Sequence, residues 1–374
     1  MKLPIKLSTL ILAGILLISS GSLFGKKTAT SLFPFVAYSN ETRLMGGAFG
    51  TYLRQTERDS ISSEFLVNLL AIYSANKQFQ LIFTPQVTLH DDLLQIKLDL
   101  RGRNWPDRFY GVGNNGSPDI YEQFVQKQLK ARLEPEIRLW QNLYVSAKTT
   151  VVQENMDSFN PQTIPLEGNY HGLNMVQTYY GYGATIRLTT VDSDFYPTHG
   201  VNYSAQYTRY IDSNATPETI NFGISILELN NYISPAAGTV LALQSSFSNS
   251  YHHVPFSFMP ELGGQLRAYN SKRYIDKTLL AQRTELRVFP SELGFIQDWG
   301  WFQGAFFQRS GFVIFSEIGQ VAESAKDMRW QYNHFSNGFG LRFRISEALK
   351  LNIRTDFAFG SEGFNLIVQG GEAF

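Results

Sequence analysis

The residues able to do chemistry in this chain are spaced for structure rather than catalysis. Histidine occurs at His90, His171, His199, His252, His253 and His334. None has the H-E-x-x-H spacing that sets two imidazoles on one helix face around zinc. Adjacent His252 and His253 would point to opposite sides of an extended segment. Asp192-Ser193-Asp194 begins like a calcium loop, but the later ligand positions do not follow, so it reads as a turn cap. Gly111-Val112-Gly113-Asn114-Asn115-Gly116 fits G-x-G-x-x-G. A dinucleotide site needs that motif between a parallel strand and a helix. Here Ser117-Pro118-Asp119 follows, which reads as loop. Gly360-Ser361-Glu362-Gly363 lacks the spacing of a nucleophile elbow. The absence of cysteine excludes a disulfide scaffold, a thiolate metal site and a cysteine nucleophile. The expectation is a chain with no catalytic residue, no metal and no cofactor.

The composition indicates which elements these residues sit on. Lysine plus arginine and aspartate plus glutamate both total 32. That balance gives no reason to expect a nucleic-acid partner, which needs a clustered basic excess. Charged residues are 17% of the chain, against about 25% in soluble domains. Aromatics are 14%, with 30 glycines. A charge-poor, aromatic-rich and glycine-rich chain suits a membrane β-barrel. A mean hydropathy of -0.17 is no objection, because alternation conceals apolar faces from an average.

Lys2 and Lys6 precede an apolar run from Leu7 to Ile18, and Ser19, Ser20, Gly21 and Ser22 follow. These are the three regions of a secretory signal peptide, and the run is shorter than the about 20 residues of a spanning helix. Residues 1–25 are therefore expected to be a signal peptide and 26–374 the exported domain. No later stretch is long and apolar enough for a transmembrane helix, so membrane insertion would use strands.

From there the chain alternates. Leu94, Ile96, Leu98 and Leu100 interleave with Gln95, Lys97, Asp99 and Arg101. Phe339, Leu341, Phe343 and Ile345 interleave with Gly340, Arg342, Arg344 and Ser346, and Leu351, Ile353 and Phe357 with Asn352, Arg354 and Asp356. Period two places one apolar and one charged face on each segment. Segments of about ten residues match tilted membrane strands, and only a closed barrel satisfies every backbone group in lipid. The expected strands are 34–38, 43–55, 62–74, 77–89, 91–101, 121–139, 142–153, 178–191, 199–210, 217–229, 238–249, 279–289, 308–321, 336–346, 349–360 and 364–374. Short links such as Ser346-Glu347-Ala348 read as periplasmic turns, and 102–120 and 250–278 as external loops. The fold class is an all-β, transmembrane antiparallel barrel of sixteen strands.

One run of residues is more specific. Gly263-Gly264-Gln265-Leu266-Arg267-Ala268-Tyr269 is followed by Asp276, then Glu285, then Phe315-Ser316-Glu317-Ile318-Gly319. This order resembles the bacterial surface-antigen barrel of the BamA/TamA-type outer-membrane assembly and translocation superfamily. The resemblance implies that a long external loop folds into the lumen. Its motif residues would be Gly264, Leu266, Arg267, Ala268, Tyr269 and Asp276. Arg267 would meet acids on the twelfth and thirteenth strands, Glu285 and Glu317, with Phe315 and Gly319 completing the second motif. Ala268 stands where the family has glycine, and Glu317 where it has aspartate. Gly370 and Gly371 would weaken a seam between first and last strands, and Phe374 fits the terminal aromatic that assembly machinery reads. The same likeness implies a location in the outer membrane among its lipids. It also implies work on nascent outer-membrane proteins or lipids, with a POTRA-bearing or periplasmic partner, or a second copy, supplying what the chain lacks. POTRA domains usually precede such a barrel, and the expectation here is none. The alternative expectation is a passive channel or structural oligomeric barrel.

Overall fold

In the computed structural model, residues 26–39, 42–58, 61–157, 176–213, 221–293, 305–346 and 350–374 are described. The expected signal peptide, His171 and the Glu347-Ala348 turn lie outside them. Sixteen strands form one sheet: β1 (Lys26–Ser39), β2 (Arg43–Arg58), β3 (Ile61–Ser74), β4 (Phe79–Leu89), β5 (Leu94–Phe109), β6 (Glu122–Trp140), β7 (Leu143–Asp157) and β8 (Gln177–Thr189), followed by β9 (Gly200–Asp212), β10 (Asn221–Ala236), β11 (Thr239–Tyr251), β12 (Thr278–Val288), β13 (Ser310–Ala322), β14 (His334–Ser346), β15 (Leu351–Gly360) and β16 (Gly363–Gly370). Each strand pairs antiparallel with the next, in chain order. β1 and β16 come within 8 Å of each other, but no ladder joins them among the described residues. The sheet is a nearly closed barrel.

Alternation sorts the two faces. Leu32 is 48% exposed while the next residue, Phe33, is 7% exposed. Ile314 and Leu341 are exposed, while Val313 and Arg342 are fully buried. Outward positions are therefore apolar and exposed, as a lipid-facing wall requires, and the enclosed face holds the charged side chains. The connections at 90–93, 141–142 and 237–238 lie at one end, and those at 110–121, 252–277 and 323–333 at the other. No described helix is long and apolar enough to cross a membrane.

Every expected strand has an observed counterpart, and several differ in extent, β10 for instance running to Ala236 rather than 229. β5 continues to Phe109, through the start of the expected loop, because residues 102–109 pair with 122–129 of β6. A ladder needs backbone partners, not apolar side chains. β1 starts at Lys26, eight residues before the expected start, paired throughout with β2. β16 stops at Gly370. Gly371 takes φ +82°, and the chain turns inward, so Phe374 is not part of a strand.

Candidate functional site: an ion-pair ring inside the barrel

The segment 252–277 is packed against the enclosed face. Phe256 and Met259 join Phe124, Tyr179 and Phe222 of the wall in one apolar cluster. Leu262, Leu266 and Tyr274 join Leu279, Ala281 and Val321 in a second. Gly319 is bare where Leu262 arrives, since a Cβ there would lie 2.7 Å from its Cδ1. Nearby connections fix the segment's outer part. The Gly113 amide donates to the Ile275 carbonyl at 2.8 Å, and the same connection is tied to β13 by the Val321 amide donating to Asn114 Oδ1 at 3.0 Å. Arg273 donates to the Gly116 carbonyl at 2.6 Å and to Glu362 at 2.8 Å. The glycine-rich motif is thus a loop-to-loop contact with Gly113 at φ +114°, not the start of a helix.

At the tip, Arg267 is 5% exposed. Its Nη2 donates to Glu285 on β12, and its Nη1 to Asp356 on β15 at 3.1 Å. Its Nε lies 2.9 Å from Glu317 Oε1 on β13, and its own amide donates to Glu317 Oε2 at 2.7 Å. The Phe315 ring lies 3.9 Å from the guanidinium carbon, a cation–π contact. The neighbouring residues hold the tip. The Ala268 amide donates to Ser336 Oγ at 3.1 Å, the Tyr269 hydroxyl donates to the Phe335 carbonyl at 3.1 Å, and Asn365 of β16 donates to the Arg267 carbonyl at 2.9 Å. Gly264 needs no unusual backbone angle; it adjoins Glu261. Asp276 accepts from the Lys277 amide at 2.7 Å at the start of β12, and burial holds its carboxyl above the ordinary value.

The structure therefore brings Arg267, Glu285, Glu317 and Phe315 together, and adds residues that the motif does not name. Arg287 Nε donates to Glu285 Oε2 at 2.7 Å, and Arg342 Nη1 donates to Asp356 Oδ1 at 2.7 Å. Both arginines reach Glu372, Arg342 by a 2.7 Å hydrogen bond and Arg287 at 3.9 Å. Arg267, Glu285, Arg287, Glu372, Arg342 and Asp356 thus close a ring of alternating charge. The inward turn after Gly370 supplies Glu372, which also accepts from Asn352 at 2.7 Å. It also carries the Phe374 ring to 4.9 Å from the Arg283 guanidinium. On β14, Gly340 is bare because a Cβ would meet Asp356 Oδ1 and Arg342 Nη1. The signal for Arg342 and Asp356 was their place on the polar side of alternating strands. Glu372 carried no such signal, since it falls in a segment that reads as a strand.

At the other end of the barrel Asp192 caps the turn before β9. It accepts from the Thr198 amide and hydroxyl, each at 2.7 Å, and from the His199 amide at 3.2 Å. Burial alone would raise this carboxyl, but those hydrogen bonds and nearby Lys350 bring it down to about 2. Asp192-Ser193-Asp194 is a turn cap, as its sequence suggests.

Among solved structures, the chain resembles BamA from Haemophilus ducreyi lacking POTRA domains 1–3, with a TM-score of 0.61 and 11% identity over 93% of this chain and 70% of that one. It also resembles CdiB from Acinetobacter baumannii, with a TM-score of 0.54 and 8% identity over 93% of this chain and 60% of that one. The fold is that of an outer-membrane β-barrel. No protein-family model and no curated protein matches the sequence of this barrel.

Proposed function

We propose that this barrel sits in an outer membrane and belongs with the assembly and translocation barrels, acting on membrane-bound polypeptides or lipids through a seam between β1 and β16. The observation that carries this reading is the missing ladder between those two neighbouring strands. β1 runs for 14 residues and β16 for 8, so β1 is too long for β16 to face along its whole edge. An unpaired strand edge templates another strand. Gly370 has open space around its Cβ position, and the chain leaves the wall one residue later. Little side-chain packing would then resist separation at that point. The segment 252–277 acts as a lumen plug held by Arg267, and the Asn365 bond to Arg267 joins the plug to the seam strand.

The chain has no cysteine, so an introduced pair would carry the only thiols. Cysteines placed pairwise along residues 30–36 and 364–368 should include one pair that oxidises. The oxidised barrel should lose its ability to speed insertion of a second barrel into vesicles and regain it on reduction. Unchanged activity in the oxidised form would refute gating at the seam. A steady conductance in planar bilayers, unaffected by oxidation, would favour the passive-channel reading.

A further inference from the structure

The inner wall is not uniformly polar. One transverse row of ladder partners runs Phe33, Phe49, Leu70, Ile82, Arg101, Lys130 across β1 to β6. Its first four members are apolar, although their outward neighbours Leu32, Leu69 and Leu81 are apolar and exposed as well. These strands are therefore apolar on both faces at this level, unlike β12–β15, whose inner faces carry the ion-pair ring. Phe49, Leu70 and Ile82 are only half-buried, so segment 252–277 does not cover them as it covers Leu279 and Val321. A watery lumen gives no physical reason for such a row, because apolar side chains left in water gain nothing by lining it.

The row ends in cations that outnumber the carboxylates beside them. Asp99 bonds to Arg101 at 2.7 Å and to Arg132 at 3.1 Å, which uses the nearest carboxylate twice. Lys130 has no hydrogen bond or ion pair to another described residue. Arg103, one position along on the same face, donates from Nη2 to the neutral amide of Gln126 and has a buried Nε without a partner. An apolar wall about three strand spacings wide, roughly 14 Å, thus abuts a basic patch at the same level.

We infer that this sector of the lumen binds an anionic phospholipid, with acyl chain along Phe33, Phe49, Leu70 and Ile82 and phosphate at Arg101, Arg103 and Lys130. Charge complementarity selects this occupant. A neutral amphiphile would leave the cations unpaired, a zwitterionic lipid would bring its own cation beside them along with its phosphate, and a free anion would leave the apolar row in water. The inference rests on the membrane-barrel reading above. The row begins on seam strand β1, so a lipid entering between β1 and β16 would meet the apolar wall first.

The test places a tryptophan inside or outside the wall of the full barrel, reconstituted in vesicles of acyl-brominated phosphatidylglycerol. Leu69→Trp faces outward and reports contact with the bilayer. Leu70→Trp faces inward, with Ile82→Trp as a second inner reporter should the first fail to fold by heat-modifiable gel mobility. The expected result is quenching at both inner positions comparable with that at 69, and weaker inner quenching in brominated phosphatidylcholine. Lys130→Glu in the inner-reporter background should cut the preference for phosphatidylglycerol about fivefold. Quenching at 69 with none at 70 and 82 would overturn the lumenal site while leaving the membrane reading intact. Equal inner quenching by both lipids would overturn the anionic specificity. No quenching at 69 would overturn the membrane reading and the site together.

Discussion

Arg267 faces Glu285, Glu317 and Asp356, all three fully buried. Removing one partner of a buried ion pair leaves the others desolvated without compensation, which costs about 3–5 kcal/mol. Arg267→Ala is therefore expected to destabilise the detergent-folded barrel by about that amount in urea unfolding. It should also expose segment 252–277 to protease. Arg267→Lys should recover only part of the loss, because an ammonium cannot serve three carboxylates in the planar fork geometry of guanidinium. Wild-type stability in Arg267→Ala would remove the basis for the plug. In the sequence, Arg267, Glu285 and Glu317 were legible only through likeness to a known motif. Their spacing along the chain carries no geometry until β12 and β13 are paired.

Strands explain which parts of the wall could be read in advance. From Leu94 onward, many inner positions are polar or charged while outer ones are apolar, so alternation is visible. In β1 to β4 both faces carry apolar side chains, and the signal weakens; β1 is defined by its pairing with β2 rather than by its own pattern. Turns are legible for a different reason, since Asp, Ser and Thr at short spacing satisfy local backbone donors. The Asp192 turn gives a pH prediction. Its carboxyl titrates at about 2 in the fold and near about 3.9 when unfolded. A depressed folded value contributes stability above the unfolded value and loses it as pH falls through the folded one. Pepsin cleavage within 190–199 should therefore rise as pH falls from about 4 to about 2, and Asp192→Asn should abolish that rise by making the turn susceptible throughout. A variant with the wild-type pH profile would show that Asp192 does not hold the turn.

Across the whole molecule, the ion-pair ring joins three parts distant in sequence: the tip of segment 252–277, the inner faces of β12 to β15, and the inturned residues after β16. Its six members alternate in sign, so each charge is held by two neighbours. Removing Arg267 and Glu372 together should then cost less than the sum of the single losses. In a double-mutant cycle of Arg267→Ala and Glu372→Gln, an interaction energy of about 0.5–3 kcal/mol is expected. Additivity within about 0.3–0.5 kcal/mol would mean that segment 252–277 and the tail are energetically independent.

The sequence by itself determined the strand number, their approximate bounds and the two faces of most of them. Period-two alternation and turn chemistry are local, so they survive without knowledge of partners. It also determined what the chain lacks, since an absent cysteine cannot be supplied by folding. The tertiary structure alone decided that Asp356, Arg342, Arg287 and Glu372 join the acids near Arg267. It likewise decided that β16 ends four residues before Phe374, that β1 and β16 lie side by side without a ladder, and that an apolar row meets a basic patch inside the wall. Each of these depends on register between strands. A shift of one residue would send every one of those side chains to the opposite face.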